Sequence, residues 1–281
     1  MLFYIDSILA WAKSEKSIRV LMLVGSRATD KPINQLSDYD LAIFSIEDCK
    51  YIHDDQWLSK IGKVWACVHE RIYRENREVP TRLVIFEGGS KVDFTFFSLA
   101  KLKEIINGSL LPPEYDMGYK ILLDKDALTV NMPKPRFKGF SIKKPSEAHF
   151  VNVINEFWFE AYHVAVYLKR GDLWSAKART NGIHYNFLLK MIEWNELSKH
   201  DWNYCIPPMG KWIQSWVCES TQDALYGLFG HFDTEDSWKA LLNTIGLFRN
   251  LAKESAQILG FSYAEDVDNN ISKFILKLHD K

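Results

Sequence analysis

Asp38 and Asp40 stand one residue apart in Ser37-Asp38-Tyr39-Asp40-Leu41-Ala42-Ile43-Phe44. Side chains of an extended strand alternate faces, so the two carboxylates project from one side while Tyr39, Leu41 and Ile43 project from the other. Like charges held that close need a proton or a cation to coexist, and an oxygen-seeking divalent ion such as magnesium suits them. A third carboxylate is offered by Lys91-Val92-Asp93-Phe94-Thr95-Phe96-Phe97, where Val92, Phe94 and Phe96 form one apolar face and Asp93 and Thr95 the opposite one. If that strand lies beside the first, Asp38, Asp40 and Asp93 are the candidate ligands of one metal site. Such a trio suits in-line displacement at phosphorus, in which two metal ions about 3.5 to 4 Å apart stabilise the attacking and leaving oxygens. Asp93, near the attacking hydroxyl, can also accept its proton. Upstream, Gly25-Ser26 ends an apolar run, where a residue without a Cβ lets backbone amides and a hydroxyl approach phosphate oxygens.

These residues need strands to hold them. Ile18–Val24 and Tyr39–Ile46 are compact apolar runs rich in β-branched and aromatic residues, and they flank a polar loop. Gly62–Val68 predicts a third buried strand. Thr81–Phe86 and Lys91–Phe97, joined by Glu87-Gly88-Gly89-Ser90, predict a hairpin. Residues 3–14 carry a helical stripe of Phe3, Ile5, Ile8, Leu9, Trp11 and Ala12, so the first half reads as mixed α and β. The segment from Asn131 to Pro145, with three prolines and five basic residues, reads as a connection. Beyond it, Phe150, Val153, Ile154, Phe157, Trp158, Ala161, Val164, Ala165 and Leu168 recur at helical spacing, and residues 172–198, 211–227, 234–259 and 264–279 predict further helices. The expected fold class is therefore α+β, a mixed-sheet domain over residues 1–140 followed by a helical bundle over 141–281.

Thirty-five Lys and Arg against thirty-six Asp and Glu leave a net charge of -1, which argues against a surface that coats nucleic acid or an anionic membrane. Cys49, Cys67, Cys205 and Cys218 show no zinc-ribbon or C-x-x-C spacing, and the N-terminal apolar run contains Asp6 with no basic leader before it. No stretch approaches the roughly 18 apolar residues of a membrane helix. The expectation is a reduced, cytoplasmic protein. Aromatics reach 14% of the chain, which predicts flat apolar walls in the core or around a ligand.

Gly-Ser, a loop, Asp-x-Asp and a later single Asp in that order resemble the polymerase-beta-type nucleotidyltransferase superfamily. The likeness narrows outside that signature. Gly25-Ser26-Arg27, Ser37 to Asp40, Asp55-Gln56-Trp57-Leu58, Lys91 to Thr95, Leu122 to Asp126, Ile142-Lys143-Lys144-Pro145, Asn155-Glu156-Phe157-Trp158 and Leu188 to Trp194 look like the aminoglycoside 6-adenylyltransferase (streptomycin adenylyltransferase) family, in the family's order. The resemblance implies that residues 1–140 are a nucleotidyltransferase domain and 141–281 a helical acceptor-binding domain. It implies transfer of AMP from ATP, with two Mg2+ ions on Asp38, Asp40 and Asp93, to the 6-hydroxyl of streptomycin, which inactivates the antibiotic. Gly25, Ser26 and Arg27 would cradle the triphosphate. A related nucleotidyltransferase acting on another small-molecule or protein hydroxyl would keep the same three Asp residues.

Several residues admit two readings. Glu156, Glu160 and His163 share one helix face, which can bind guanidinium groups of the acceptor or be an ordinary solvated edge. Lys211, after Met209-Gly210, matches a family glycine-lysine and can reach a phosphate or simply stand in solvent. Asp124 and Asp126 flank Lys125 in what resembles a strand end and read as hinge or turn residues. Trp158, Trp194, Trp212 and Trp238 read as core. Asn186 occupies a position where some family members carry an Asp suited to deprotonating the acceptor; an amide cannot take a proton at neutral pH, so Asp93 or Glu156 would have to replace it.

Overall fold

The computed structural model describes residues 4–29, 36–74, 77–137 and 142–280. The chain divides into two compact units, Met1–Phe140 and Ser141–Lys281. In the first, α1 (Ile5–Ser14) precedes β1 (Ile18–Val24), β2 (Tyr39–Ser45), β3 (Val64–Arg74), β4 (Arg77–Phe86) and β5 (Ser90–Ser98). Two short helices, α2 (Leu99–Asn107) and α3 (Pro113–Asp116), then lead to β6 (Lys120–Asp124). The six strands form one sheet in the order β3-β4-β5-β2-β1-β6. Five neighbouring pairs result, of which β2 with β5 is parallel and the others are antiparallel.

Alternation along the central strands fills both faces of the sheet. Leu21, Leu41, Ile43, Val92, Phe94 and Phe96 pack on one side with Trp11, Tyr51 and Trp57. Trp11 and Trp57 stack with ring centroids 4.5 Å apart, Trp57 meets Phe94 edge-on at 4.9 Å, and Tyr51 stacks on Phe96 at 4.0 Å. Val20, Met22, Ala42, Phe44 and Phe97 pack on the other side under α2, whose N-cap Ser98 accepts the Lys101 amide. Much of the aromatic excess is thus core. β3 departs from expectation: it is an edge strand with Trp65 58% and Val68 56% exposed, because only β4 pairs with it and no layer covers its outer residues.

The second unit is helical: α4 (Glu147–Lys169), α5 (Leu173–Ile183), α6 (Leu189–Lys199), α7 (Glu219–Leu225), α8 (Thr234–Leu259) and α9 (Glu265–His279). Ser146 caps α4 by accepting the His149 amide, Asp233 caps α8 by accepting the Asp236 amide, and Gly260 ends α8 at φ +70°. All nine apolar residues of the α4 stripe are buried, and Phe157 stacks on Phe248 of α8 at 3.6 Å. The helix expected over 172–198 runs as α5, one wide π-turn at His184–Leu188, and α6. The helix expected over 211–227 is mostly not one. Met209 sits at φ +60° inside a short 3-10 turn at Pro208–Gly210, Trp212 sits at +52° just before a second at Ile213–Ser215, and only Glu219–Leu225 is α-helical. Left-handed residues break an i to i+4 ladder, and the same turn leaves Trp212 74% exposed, contrary to its reading as core. Trp158, Trp194 and Trp238 are buried. Among the described residues no helix is long and apolar enough to cross a membrane.

Candidate active site

Parallel register places Asp40 of β2 directly beside Asp93 of β5. Neighbours in register share a face, so their carboxylates meet on the side carrying Ala42 and Phe44. Asp38, two residues before Asp40, joins them: one oxygen from each of Asp38, Asp40 and Asp93 lies within 4.8 Å of the others. The expected trio is therefore assembled by two strands that are adjacent in space and distant in sequence.

Lys91 was absent from the candidates read from the sequence. It lies on the Asp93 face of β5, and its Nζ donates to Asp38 Oδ2 at 2.8 Å and to Asp93 Oδ2 at 2.6 Å. An ammonium thus sits between two of the three carboxylates, where like charges require a cation. Burial holds the Asp93 carboxyl above its ordinary range, the Lys91 ammonium opposes that shift, and the Asp38 charge adds to it. For Lys91, burial acts to lower its pKa, and the hydrogen bonds to Asp38 and Asp93 overcome it, so the net shift is upward. The signal in the sequence was alternation itself, since Lys91, Asp93 and Thr95 occupy every second position.

Two observations fit this cluster to a divalent cation. Asp93 Oδ1 is buried with no hydrogen-bond partner, a state that costs free energy unless something binds it. Gly25, at φ +68°, lets the β1 end close onto Asp40: a Cβ there would overlap Asp40 Oδ2 and lie 2.8 Å from its Cγ. Oxygen-only donors at a solvent-reachable site match magnesium better than a softer metal.

Arg27, expected at the triphosphate, lies against the backbone beside Asp38. Its Nε donates to the carbonyls of Ser37 and Asp38, both at 3.0 Å, and its Nη2 donates to Ser37 at 2.6 Å. The guanidinium also lies 4.1 Å from the centroid of the Tyr39 ring. It therefore braces the backbone that presents Asp38. Ser26 is exposed at the same turn, and its carbonyl accepts from Thr29 Oγ1 at 2.9 Å. Asp124 closes a turn, accepting the Leu128 and Thr129 amides at 2.9 and 2.8 Å.

The remaining sequence candidates belong to the helical unit. Glu156 is exposed on α4. Glu160, one turn on, is ion-paired with Arg179 of α5, so its charge is already compensated. Asn186 is exposed on the π-turn, a distortion that changes which way a side chain leaves the helix. Lys211 is exposed beside Gly210, and its carbonyl accepts from Trp216 Nε1 at 3.0 Å.

Comparison with known proteins agrees with the signature. The model of the family described as streptomycin adenylyltransferase matches residues 3–278. An aminoglycoside 6-adenylyltransferase of Bacillus subtilis (strain 168) is 26% identical over 281 residues, covering 96% of this chain and 94% of that protein. One of Campylobacter jejuni is 27% identical over 280 residues, covering 98% and 94%. One of Staphylococcus aureus is 25% identical over 274 residues, covering 94% and 93%. Among solved structures, an aminoglycoside 6-adenyltransferase from Bacillus subtilis has a TM-score of 0.49 at 22% identity, with both chains fully covered.

Proposed function

We propose that this chain, which belongs to the streptomycin adenylyltransferase family, transfers AMP from Mg-ATP to a hydroxyl of an aminoglycoside, the 6-hydroxyl of streptomycin, and so inactivates it. The observation that carries this reading is the convergence of Asp38, Asp40 and Asp93 around a buried, unpartnered carboxylate oxygen. Asp38, Asp40 and Asp93 would hold magnesium, whose chemistry there is to neutralise charge on the triphosphate and the departing pyrophosphate.

The chain's own residues do the rest. Gly25 gives the triphosphate a close approach beside Asp40, and Ser26 presents its hydroxyl at the same turn. Arg27 fixes the position of Asp38 by holding the carbonyls before and after its Cα. Lys91 keeps Asp38 and Asp93 from repelling one another before substrate arrives. Asp93, near the attacking hydroxyl, accepts the acceptor's proton. Acceptor recognition is assigned to Glu156, Glu160 and Asn186, and phosphate contact to Lys211, on the strength of the family resemblance.

The test is pyrophosphate release with ATP and a panel of aminoglycosides, followed by NMR identification of the modified hydroxyl. Release with streptomycin and an adenylyl group on its 6-hydroxyl is the expected result. Release with another acceptor alone would keep the reaction class and overturn the substrate. Asp40→Asn should abolish transfer with an unchanged far-ultraviolet circular dichroism spectrum; near-normal turnover in that variant would remove the metal assignment.

A further inference from the structure

The Asp55-Gln56-Trp57-Leu58 segment has no part in the reaction above, yet Asp55 enters a second cluster. In the sheet register His69 of β3 lies opposite Arg82 of β4, and Arg82 lies opposite Phe94 of β5. These residues share the face that carries the aromatic core, whereas Asp93 faces the other side. Cys67, two residues before His69, projects to the same face as His69, opposite Val84. Asp55, from the turn before Gln56–Lys60, reaches in with one oxygen on Arg82 Nε at 2.6 Å and the other on His69 Nε2. One oxygen of Asp55, the Cys67 sulfur and one ring nitrogen of His69 all lie within 4.8 Å of one another.

A structural brace explains the Asp55–Arg82 pair, because Arg82 is 2% exposed and a buried guanidinium needs a carboxylate. It leaves the thiol unexplained. Among the described residues the half-buried Cys67 sulfur has no hydrogen-bond partner, although it stands beside an imidazole and a carboxylate. The three donors are one oxygen, one nitrogen and one sulfur, a mixture that favours zinc over magnesium. Arg82 completes the arrangement as the outer partner that orients a ligating carboxylate through its other oxygen.

We propose that Asp55, Cys67 and His69 form a zinc-type cation site on the sheet face opposite the Asp38, Asp40 and Asp93 cluster. Binding forms a metal–sulfur bond and releases the thiol proton to solvent, while the His69 proton shifts to Nδ1 so that Nε2 can donate its lone pair. Carboxylate and thiolate neutralise the divalent ion, and Arg82 leaves one net positive charge. His69 is half exposed, so a fourth position is open to water or a small anion. The site ties the turn at Gln56–Lys60 to the otherwise one-sided edge strand β3.

The full chain, freed of metal with chelator and titrated with Co2+ in excess Mg2+, tests this. One equivalent should bind with a thiolate-to-cobalt absorption band in the near ultraviolet and visible bands of four-coordinate intensity, both erased by Zn2+. Cys67→Ser should remove the near-ultraviolet band, His69→Ala should weaken Co2+ binding at least tenfold, and Asp40→Asn should leave the band in place. No thiolate band at stoichiometric Co2+ would overturn the proposal. So would a band that survives Cys67→Ser, which would place it on Cys49, Cys205 or Cys218, or an unweakened affinity in His69→Ala. Should Cys67→Ser fail to fold, the unmodified protein still decides: Zn2+ must slow alkylation of Cys67 relative to exposed Cys218, and equal slowing or none refutes the site.

Discussion

Gly25→Ala isolates the close approach between the end of β1 and Asp40. Two costs arise, and they are separable. The backbone at φ +68° costs an L-residue about 1–2 kcal/mol. The new Cβ also meets the Asp40 carboxylate, 2.8 Å from its Cγ and 3.2 Å from its Cβ. Carbon atoms rest about 3.5–4.0 Å apart, so the carboxylate has to move by about 1 Å to be accommodated. A misplacement of about 1 Å at a reacting centre costs on the order of 100-fold in rate, equivalent to about 2.7 kcal/mol of transition-state stabilisation. Gly88 supplies the control, since it has φ +85° and nothing within 4 Å of the place a methyl group would take. Thermal denaturation followed by circular dichroism should show similar destabilisation of Gly25→Ala and Gly88→Ala. Initial rates of pyrophosphate release should fall about 100-fold in Gly25→Ala alone. If Gly25→Ala kept turnover within about threefold of the parent, or if Gly88→Ala lost as much, the close approach would have no part in positioning Asp40.

Lys91→Met should raise the Asp93 pKa further in metal-free protein, because the ammonium opposes the shift that burial produces; carboxyl 13C NMR titration reads this, and a lower value would show that Lys91 is no counter-charge. In the helical unit, burial and the nearby Lys177 charge push His184 down to about 4, so its contribution to stability is present above pH 6.5 and is lost as pH falls towards 4. Burial pushes Glu193 up to about 7 against the pull of Lys190, so its contribution is present below pH 4.5 and is lost as pH rises towards 7. The slopes oppose: relative to the parent, His184→Asn should tilt the melting temperature downward with rising pH between 4.5 and 6.5, and Glu193→Gln should tilt it upward. Parallel curves for all three proteins would contradict both assignments. Asn186→Asp should raise kcat on streptomycin more than it changes KM, since proton removal acts in the transition state; a slower variant would show that the amide orients the acceptor.

The three converging carboxylates were legible because strand alternation is a local property. Asp38 with Asp40, and Asp93 between Val92 and Phe94, declare their faces from the sequence alone. Their meeting was conditional on β2 and β5 being neighbours, which no local pattern states, since nothing near Tyr39 names Val92 as its partner. Lys91 was passed over, and the bracing contacts of Arg27 were not foreseen, for the same reason: a cation's chemistry depends on what faces it, and only the fold brings Lys91 to two carboxylates and Arg27 to two carbonyls. The α4 stripe was readable to the residue because burial on one helix face imposes a period. Residues 211–227 misled because Trp212, Ile213, Trp216 and Val217 mimic that period while left-handed residues at 209 and 212 forbid the ladder. β6 was legible only as a strand end at Asp124, because it lies at the other sheet edge, where alternation is weak and Leu122, Leu123 and Asp124 are only partly covered.

The pairing of β2 with β5 also governs when the site comes into being. The β3–β4 and β4–β5 pairs join strands consecutive in the chain, and their ends close over short loops. Asp40 and Asp93 are brought together only after the whole chain between them has been gathered, and loop-closure entropy opposes so distant a contact before any packing offsets it. A growing or refolding chain therefore acquires its hairpins first and its carboxylate cluster late. Magnesium captured by all three aspartates, in place of the local Asp38 and Asp40 pair alone, would then report completed pairing of β2 with β5.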